Sequence, residues 1–416
     1  MAHVRLTNQD HSTEWPGFLQ AARKKMKAFD SRSEAPLIVD MSRKDAEKQL
    51  QELIGSKTIA NIIDNYDEQY AELQLSLDAF LYRANETIQI NSIKEKLKEH
   101  YGSHKSWQLG AWVYYPWRQE LVHVLAEGDF TRLRTIRNRD LITASEQKTL
   151  YDFPVACVGM SVGSAGALSL VLSGTSRQLK IADGAVISGS NLNRILAGVS
   201  DVGTDKSLSV ARKAYEMNPY MQIKRFPKIT AGSIGDFFES PWPIKAVIDE
   251  IDDLEIKIRL RLEAKKRGLP VIMATELGDS VMLDVERFDL EPGRQLFHGL
   301  VPDIEKILDR QDMNHREWQK HAASIIQTKN MPVILQKSLL KIGSSIVTHP
   351  QLGSTVLMTG GVTTYAVKRI ALGQALPSGR TNISLDKLLV PEYNKLAHRR
   401  EHRRHTKILR KSLDAM

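Results

Sequence analysis

The chain holds a single cysteine, Cys157, in 416 residues. That excludes a disulfide framework, and the absence of any CxxC pair excludes a cysteine-built zinc site. Cys157 lies inside the apolar run VACV (155–158), where a free cysteine serves packing. No apolar run approaches the roughly 18–20 residues that span a bilayer, so no membrane-crossing segment is expected. The opening stretch MAHVRLTNQDHSTEWPG has no apolar core of the signal-peptide kind, and a cytoplasmic location is the expectation. Phe, Trp and Tyr make up only 6% of the chain, yet they bunch in WQLGAWVYYPW (107–117), which reads as a core strand.

What is present divides the chain in two, since its length exceeds one ordinary domain. Residues 1–35 read as a loose polar segment. Residues 36–130 read as an α-rich module: an extended PLIVD, a helix capped by Ser42 and closed by Gly55, and a longer helix with Ile59, Ile62, Ile63 and Tyr66 on one face. Residues 131–394 form the second domain. It opens on RLRTIRNRDLITASEQKTL (132–150), with Thr143 or Ser145 as the helix cap. The arginines Arg132, Arg134, Arg137 and Arg139 there suit either a solvated helix face or an anion clamp. Strands at 155–158, up to Asp183, at 244–249 and at 269–274 alternate with helices, which argues for an α/β fold with a mostly parallel, Rossmann-like sheet and helices on both faces. A strand at 281–284, helical structure over 303–347 and a close-packing, small-residue helix over 354–373 complete it. Residues 395–416 form a basic helix. Between Lys395 and Lys411 eight Lys or Arg stand against one Glu, most of the net charge of +9. Such a helix is either solvated or a contact for nucleic acid.

The chemistry lies between Val155 and Asp253. The turn Gly159-Met160-Ser161-Val162-Gly163-Ser164 joins a strand to a helix, so small residues let the backbone approach a phosphate at the helix N-terminus. Asp183 ends the next strand about 20 residues on, the offset of an acid that grips ribose hydroxyls. Asn191, Asn193, Arg194 and Lys206 then follow within one loop and helix start. Cations so placed suit a triphosphate, and Asp252 or Asp253 supplies the carboxylate a Mg-nucleotide requires.

In this order the residues resemble the ThiF/MoeB/HesA family, bacterial relatives of ubiquitin-activating enzymes, over roughly residues 130–275 and more loosely over 354–373. The resemblance implies a homodimer that uses ATP and Mg2+ to adenylate a carboxylate, such as a peptide or ubiquitin-like C-terminus or a small acid. The family's glycine-rich turn falls on Gly159, Ser161, Gly163 and Ser164, and its ribose acid on Asp183. Its SNLNR signature stands unaltered at residues 190–194, which implies nucleotide contacts from Asn191, Asn193 and Arg194. Its lysine falls on Lys206, three residues after Gly203, and its Mg2+-binding aspartate on Asp252. The arginine that members lend across a dimer falls on Arg137, with Arg139 as competitor. Serines replace glycines in the turn, Ala185 stands where many members have a second aspartate, and Asp253 replaces an asparagine. With no cysteine on the crossover segment, the resemblance implies adenylation without an enzyme-bound thioester. Three other readings share parts of this pattern: an NAD-dependent oxidoreductase, which gives Arg194 and Lys206 no role; a tRNA-modifying relative; and a non-catalytic scaffold.

Overall fold

The computed structural model describes residues 33–309 and 315–415. Most of the segment read as loose, residues 1–32, lies outside the described residues. The chain separates into two compact units after Ile136.

The first unit surrounds a four-stranded sheet with helices. Its strands are β1 (Leu37–Asp40), β2 (Asn61–Asp64), β3 (Ala111–Tyr115) and β4 (Glu120–Val124), in the order β1-β3-β4-β2. The aromatic run forms β3, all five residues of which are buried. Trp112 and Tyr66 both stack on His123, at 4.4 and 4.5 Å between ring centroids. His123 is fully buried, and its ring nitrogens pair with the Asp64 carboxylate at 2.8 Å and the Leu109 carbonyl at 2.9 Å. These aromatics are core, as read. The helix expected over Ile59–Tyr66 is instead β2, followed by a helix over Tyr66–Leu77. Asn61–Asp64 satisfies its backbone on Glu120–His123, and β-branched isoleucines favour that extended form. Ser42 caps no helix: its hydroxyl donates to Asp40 at 2.8 Å, and the helix Ala46–Ser56 starts after Asp45 and runs through Gly55.

The second unit is built on seven strands: β5 (Val155–Val158), β6 (Gln178–Ala182), β7 (Gln222–Phe226), β8 (Ala246–Asp249), β9 (Pro270–Glu276), β10 (Ser280–Arg287) and β11 (Gly379–Ser384), in the order β11-β10-β9-β8-β5-β6-β7. The strands β7, β6, β5, β8 and β9 run parallel; β10 and β11 add an antiparallel edge. Every residue of β5 and β8 is buried, as strands covered by helices on both faces must be. Ala156, Val158 and Val247 pack with Ile258 and Leu260 of the helix Leu254–Lys266. Ile248 faces the other way, toward Gly166 of the helix Gly163–Leu172. The helix Gly353–Ala371 lies closely on that helix: a Cβ on Gly360 would stand 2.6 Å from the Ala165 carbonyl oxygen. The helical reading of 303–347 holds for Ile304–Asp309, for the twelve-residue helix His315–Ile326 and for Val333–Leu339, beyond which the chain turns irregularly up to Leu352. From central β5 the chain winds outward through β6 and β7, then returns to β8 on the opposite side. The crevice of such a sheet opens at that switch point, between β5 and β8.

Candidate active site

At the end of β5 the chain must turn over the edge of β8. Gly159 does so at φ +86°, and a Cβ there would lie 2.4 Å from the Glu250 carbonyl oxygen. Glycine alone meets both demands. Its N–H donates to the Ala182 carbonyl at 2.8 Å, tying the turn to β6. Asp183 follows β6 and accepts the Met160 N–H at 2.6 Å on one carboxylate oxygen and the Ala185 N–H at 2.7 Å on the other. Each oxygen keeps a second lone pair, so these bonds orient the carboxylate and leave it able to accept ribose hydroxyls. Ala185 contributes through its backbone: its carbonyl accepts the Lys206 N–H at 3.0 Å.

The two serines stitch the turn together. Ser164 donates to the Ser161 carbonyl at 2.8 Å, and the Ser161 hydroxyl accepts from Lys206 Nζ at 2.8 Å. Lys206 opens the helix Lys206–Met217 and is only 8% exposed. An ammonium has three donors, and that hydroxyl takes one of them. The helix Gly163–Leu172 starts beside it, and the N-terminus of a helix favours an anion.

The SNLNR segment divides its work. Asn191 is buried and accepts the Ser188 N–H at 3.0 Å, closing a tight 3-10 turn. Asn193 is held at both ends of its amide, donating to the Gln351 carbonyl at 2.9 Å and accepting from Arg194 Nη1 at 2.8 Å. Arg194 Nη1 also donates to the Ser190 carbonyl at 2.9 Å. Asn193 therefore positions Arg194. The start of the Gly353 helix locks against this loop, where a Cβ on Gly353 would stand 2.4 Å from the Asn193 carbonyl oxygen. Arg194 Nε is buried with no hydrogen-bond partner. Burial presses the guanidinium pKa down, against the pull of Glu276 and Asp252. A half-buried guanidinium with an unused, buried donor is a standing anion receptor.

Asp252 and Asp253 have separate tasks. Asp253 accepts the Ile256 N–H at 3.1 Å and caps the helix Leu254–Lys266. Asp252 is exposed, and its charge reaches Arg194, Glu250 and His349. Among the described residues no three His, Cys, Asp or Glu gather as a metal cage. A magnesium ion riding on a polyphosphate needs only one or two protein carboxylates, and Asp252 suits that demand.

Sequence reasoning passed over Glu250. Its carboxylate accepts the Ala274 N–H at 2.7 Å, and its Cβ stands 3.3 Å from where a Cβ on Gly163 would be. It fills the floor of the crevice at the switch point. Burial pushes its carboxyl up to about 8, against the Ala274 N–H and Lys257, with Asp249 and Asp252 adding to the rise. The available signal was its place one residue past the apolar AVID strand. Glu276, at the end of β9, was also missed; burial raises its carboxyl, while the Leu352 N–H, Gln351 and Arg194 pull it down. Beneath them Asp249 pairs with Lys257 at 3.0 Å and with Arg261, which also holds Glu286 at 2.6 Å. Burial opposes the charge on Asp249, but Lys257 and Arg261 outweigh it and hold the carboxyl below its usual range.

Arg137 is not brought to this cluster within one chain. It is exposed, as is Arg139, and the adjacent Asn138 donates to the Ser173 carbonyl at 3.2 Å. Ser173 caps the far end of the helix that begins at Gly163, about 15 Å from the turn at 1.5 Å per residue.

The ThiF family model matches residues 134–394. The "Uncharacterized protein MT1398" of Mycobacterium tuberculosis (strain CDC 1551 / Oshkosh) is 36% identical over 284 residues, covering 67% of this chain. The chain spans only 38% of that relative's length. Among solved structures, E. coli MccB with ATP is 14% identical, with 76% of this chain and 84% of that chain covered at a TM-score of 0.43. E. coli tRNA N6-threonylcarbamoyladenosine dehydratase, TcdA, in complex with ATP is 16% identical, with 58% and 95% covered at a TM-score of 0.40.

Proposed function

The chain belongs to the ThiF family, and from that premise we propose that it uses ATP to adenylate a substrate carboxylate. A carboxylate oxygen attacks the α-phosphorus, the bond to the bridging oxygen breaks, and pyrophosphate leaves an acyl-adenylate behind. The observation that carries this reading is a pair of cations with donors to spare, the buried Lys206 and the half-buried Arg194. Lys206 spends one donor on Ser161, and Arg194 keeps Nε unpaired. Fixed cations in a partly desolvated crevice stabilise charge developing on the α-phosphate and the departing pyrophosphate, an effect commonly worth orders of magnitude in rate. The Gly159 turn and Asp183 hold the nucleoside. Asp252 would hold Mg2+, which supplies charge neutralisation at the phosphate oxygens.

The acyl group passes to an external amine or thiol. Cys157 is 0% exposed within β5, and burial drives its thiol far above the usual range, which supports transfer without an enzyme-bound thioester. The substrate is a peptide or ubiquitin-like C-terminus or a small acid, and Arg137 acts on the nucleotide of a second copy in a homodimer. Its position at the far end of the Gly163 helix supports that assignment. Titration calorimetry with Mg-ATP and with NAD tests the reading. ATP is expected to bind and NAD not, with affinity for ATP falling about tenfold or more in Arg194→Ala. Preference for NAD, or unchanged ATP affinity in Arg194→Ala, contradicts it.

A further inference from the structure

We propose that the second unit carries another ligand site, for a small phosphorylated molecule that also bears hydroxyl or amino donors. It is the cavity of about 500 Å³ between the helix Leu396–Ala415 and the β10–β11 edge, within the size range of small-molecule sites. It shares no lining residue with the nucleotide cluster.

Charge comes first. Lys329, Lys387, Arg399 and Arg403 line the cavity, and no Asp or Glu does. Four like charges around one space repel each other, and an anion between them relieves that repulsion. Guanidinium and ammonium groups together suit a phosphate.

The wall behind them is polar and incompletely bonded. Ser280 pairs with Ser384 in the β10–β11 register, and Asn382 lies two residues before Ser384 on β11, so the two-residue period sets Asn382 and Ser384 on one face. Ser280 is 1% exposed and its hydroxyl has no hydrogen-bond partner. Asn382 donates its amide to the Asn330 carbonyl at 3.1 Å, which identifies the other end as the oxygen; that oxygen is buried and unpaired. His398 packs on Tyr393 at 4.2 Å between centroids and leaves Nε2 buried and unpaired. Three residues that line one cavity thus each hold a buried polar atom without a partner, which is costly unless a ligand engages it. The Asn382 oxygen only accepts, so the ligand group that satisfies it is a donor, a hydroxyl or an amine. A ligand with hydroxyl or amino groups beside its phosphate, as in a sugar phosphate or nucleotide, supplies more such donors than the P–OH that inorganic phosphate holds near neutral pH.

The same phosphate chemistry exists in a nucleic-acid strand lying along the outer, exposed Arg400 and Arg404 of this helix. The enclosed position of Ser280 and Asn382 favours the small molecule, since a strand on the helix exterior leaves those atoms unpaired.

The test is titration calorimetry on the full chain with ribose 5-phosphate, inorganic phosphate and a short oligo-dT strand. Ribose 5-phosphate is expected to bind saturably at one site and more tightly than inorganic phosphate. Its affinity should fall about tenfold or more in a double variant carrying Arg399→Ala and Arg403→Ala, and in a second variant, Lys387→Ala, it should fall by a smaller factor. These side chains are exposed, so melting curves should be unchanged, and Mg-ATP binding should be unchanged as well. That last control separates failure here from failure of the adenylation reading. Lack of saturable ribose 5-phosphate binding overturns the proposal. So does equal binding by the double variant, an affinity no better than that of inorganic phosphate, or binding of oligo-dT alone.

Discussion

Glu250 makes the stability of the second unit depend on pH in a specific direction. Its carboxyl is raised from an ordinary 4.5 to about 8, chiefly by burial. The folded state therefore holds a proton that the unfolded state releases above about pH 4.5. Stability is unaffected by this group below that point, declines as pH rises from about 4.5 to 8, and then levels off. At about 1.4 kcal/mol per pH unit the full difference is about 5 kcal/mol. Solvent reaches the edge of this half-buried side chain, so we discount the effect to about 2–3 kcal/mol. Glu250→Gln keeps an oxygen for the Ala274 N–H and removes the titration. The chain has two units and need not unfold in one step, so the assay is hydrogen exchange of the β8 and β9 amides across pH 5 to 9, corrected for intrinsic exchange. Wild type should lose protection relative to Glu250→Gln as pH rises, with the two equal near pH 5. Parallel profiles, or a Glu250 carboxyl titrating near 4.5 by NMR, would refute the reasoning.

Other perturbations separate packing from chemistry. Gly159→Ala forces a side chain into positive φ, worth about 1–2 kcal/mol, and into the Glu250 backbone; thermal stability and ATP affinity should fall together. Gly360→Ala pushes the two close-packed helices apart and should cost about 1–3 kcal/mol in denaturant titration. Asp253→Ala removes a helix cap and should cost about 1 kcal/mol while leaving ATP binding intact. Asp252→Ala should leave stability intact and abolish the Mg2+ dependence of ATP binding, so equal behaviour of the two aspartate variants would contradict the division of roles.

The strand that feeds the site was legible because its signals are local: VACV is bounded by Pro154 and by a glycine that no other residue replaces. The helix Gly353–Ala371 was legible for the same reason, since a run of Gly, Ser and Thr at helical spacing permits only close packing. The strand β2 was not. Its isoleucines fit a helical face as well as a strand, and Glu120–His123, far along the chain, decides between them. Glu250 escaped similarly, as did the engagement of Asn193, a residue the motif itself singled out. The burial of Glu250 depends on the turn after β5 and on Ala274, and the hold on Asn193 comes from Gln351. Motif spacing identifies which residues can meet a nucleotide; it does not reveal which are already engaged by distant backbone.

The most direct test of adenylation is exchange of labelled pyrophosphate into ATP, run with peptides bearing free C-termini, ubiquitin-like C-termini and small carboxylic acids. The account predicts carboxylate-dependent exchange that is lost in both Arg194→Ala and Asp252→Ala. Exchange that survives both substitutions, or cleavage of ATP to ADP and phosphate in place of pyrophosphate release, would contradict it.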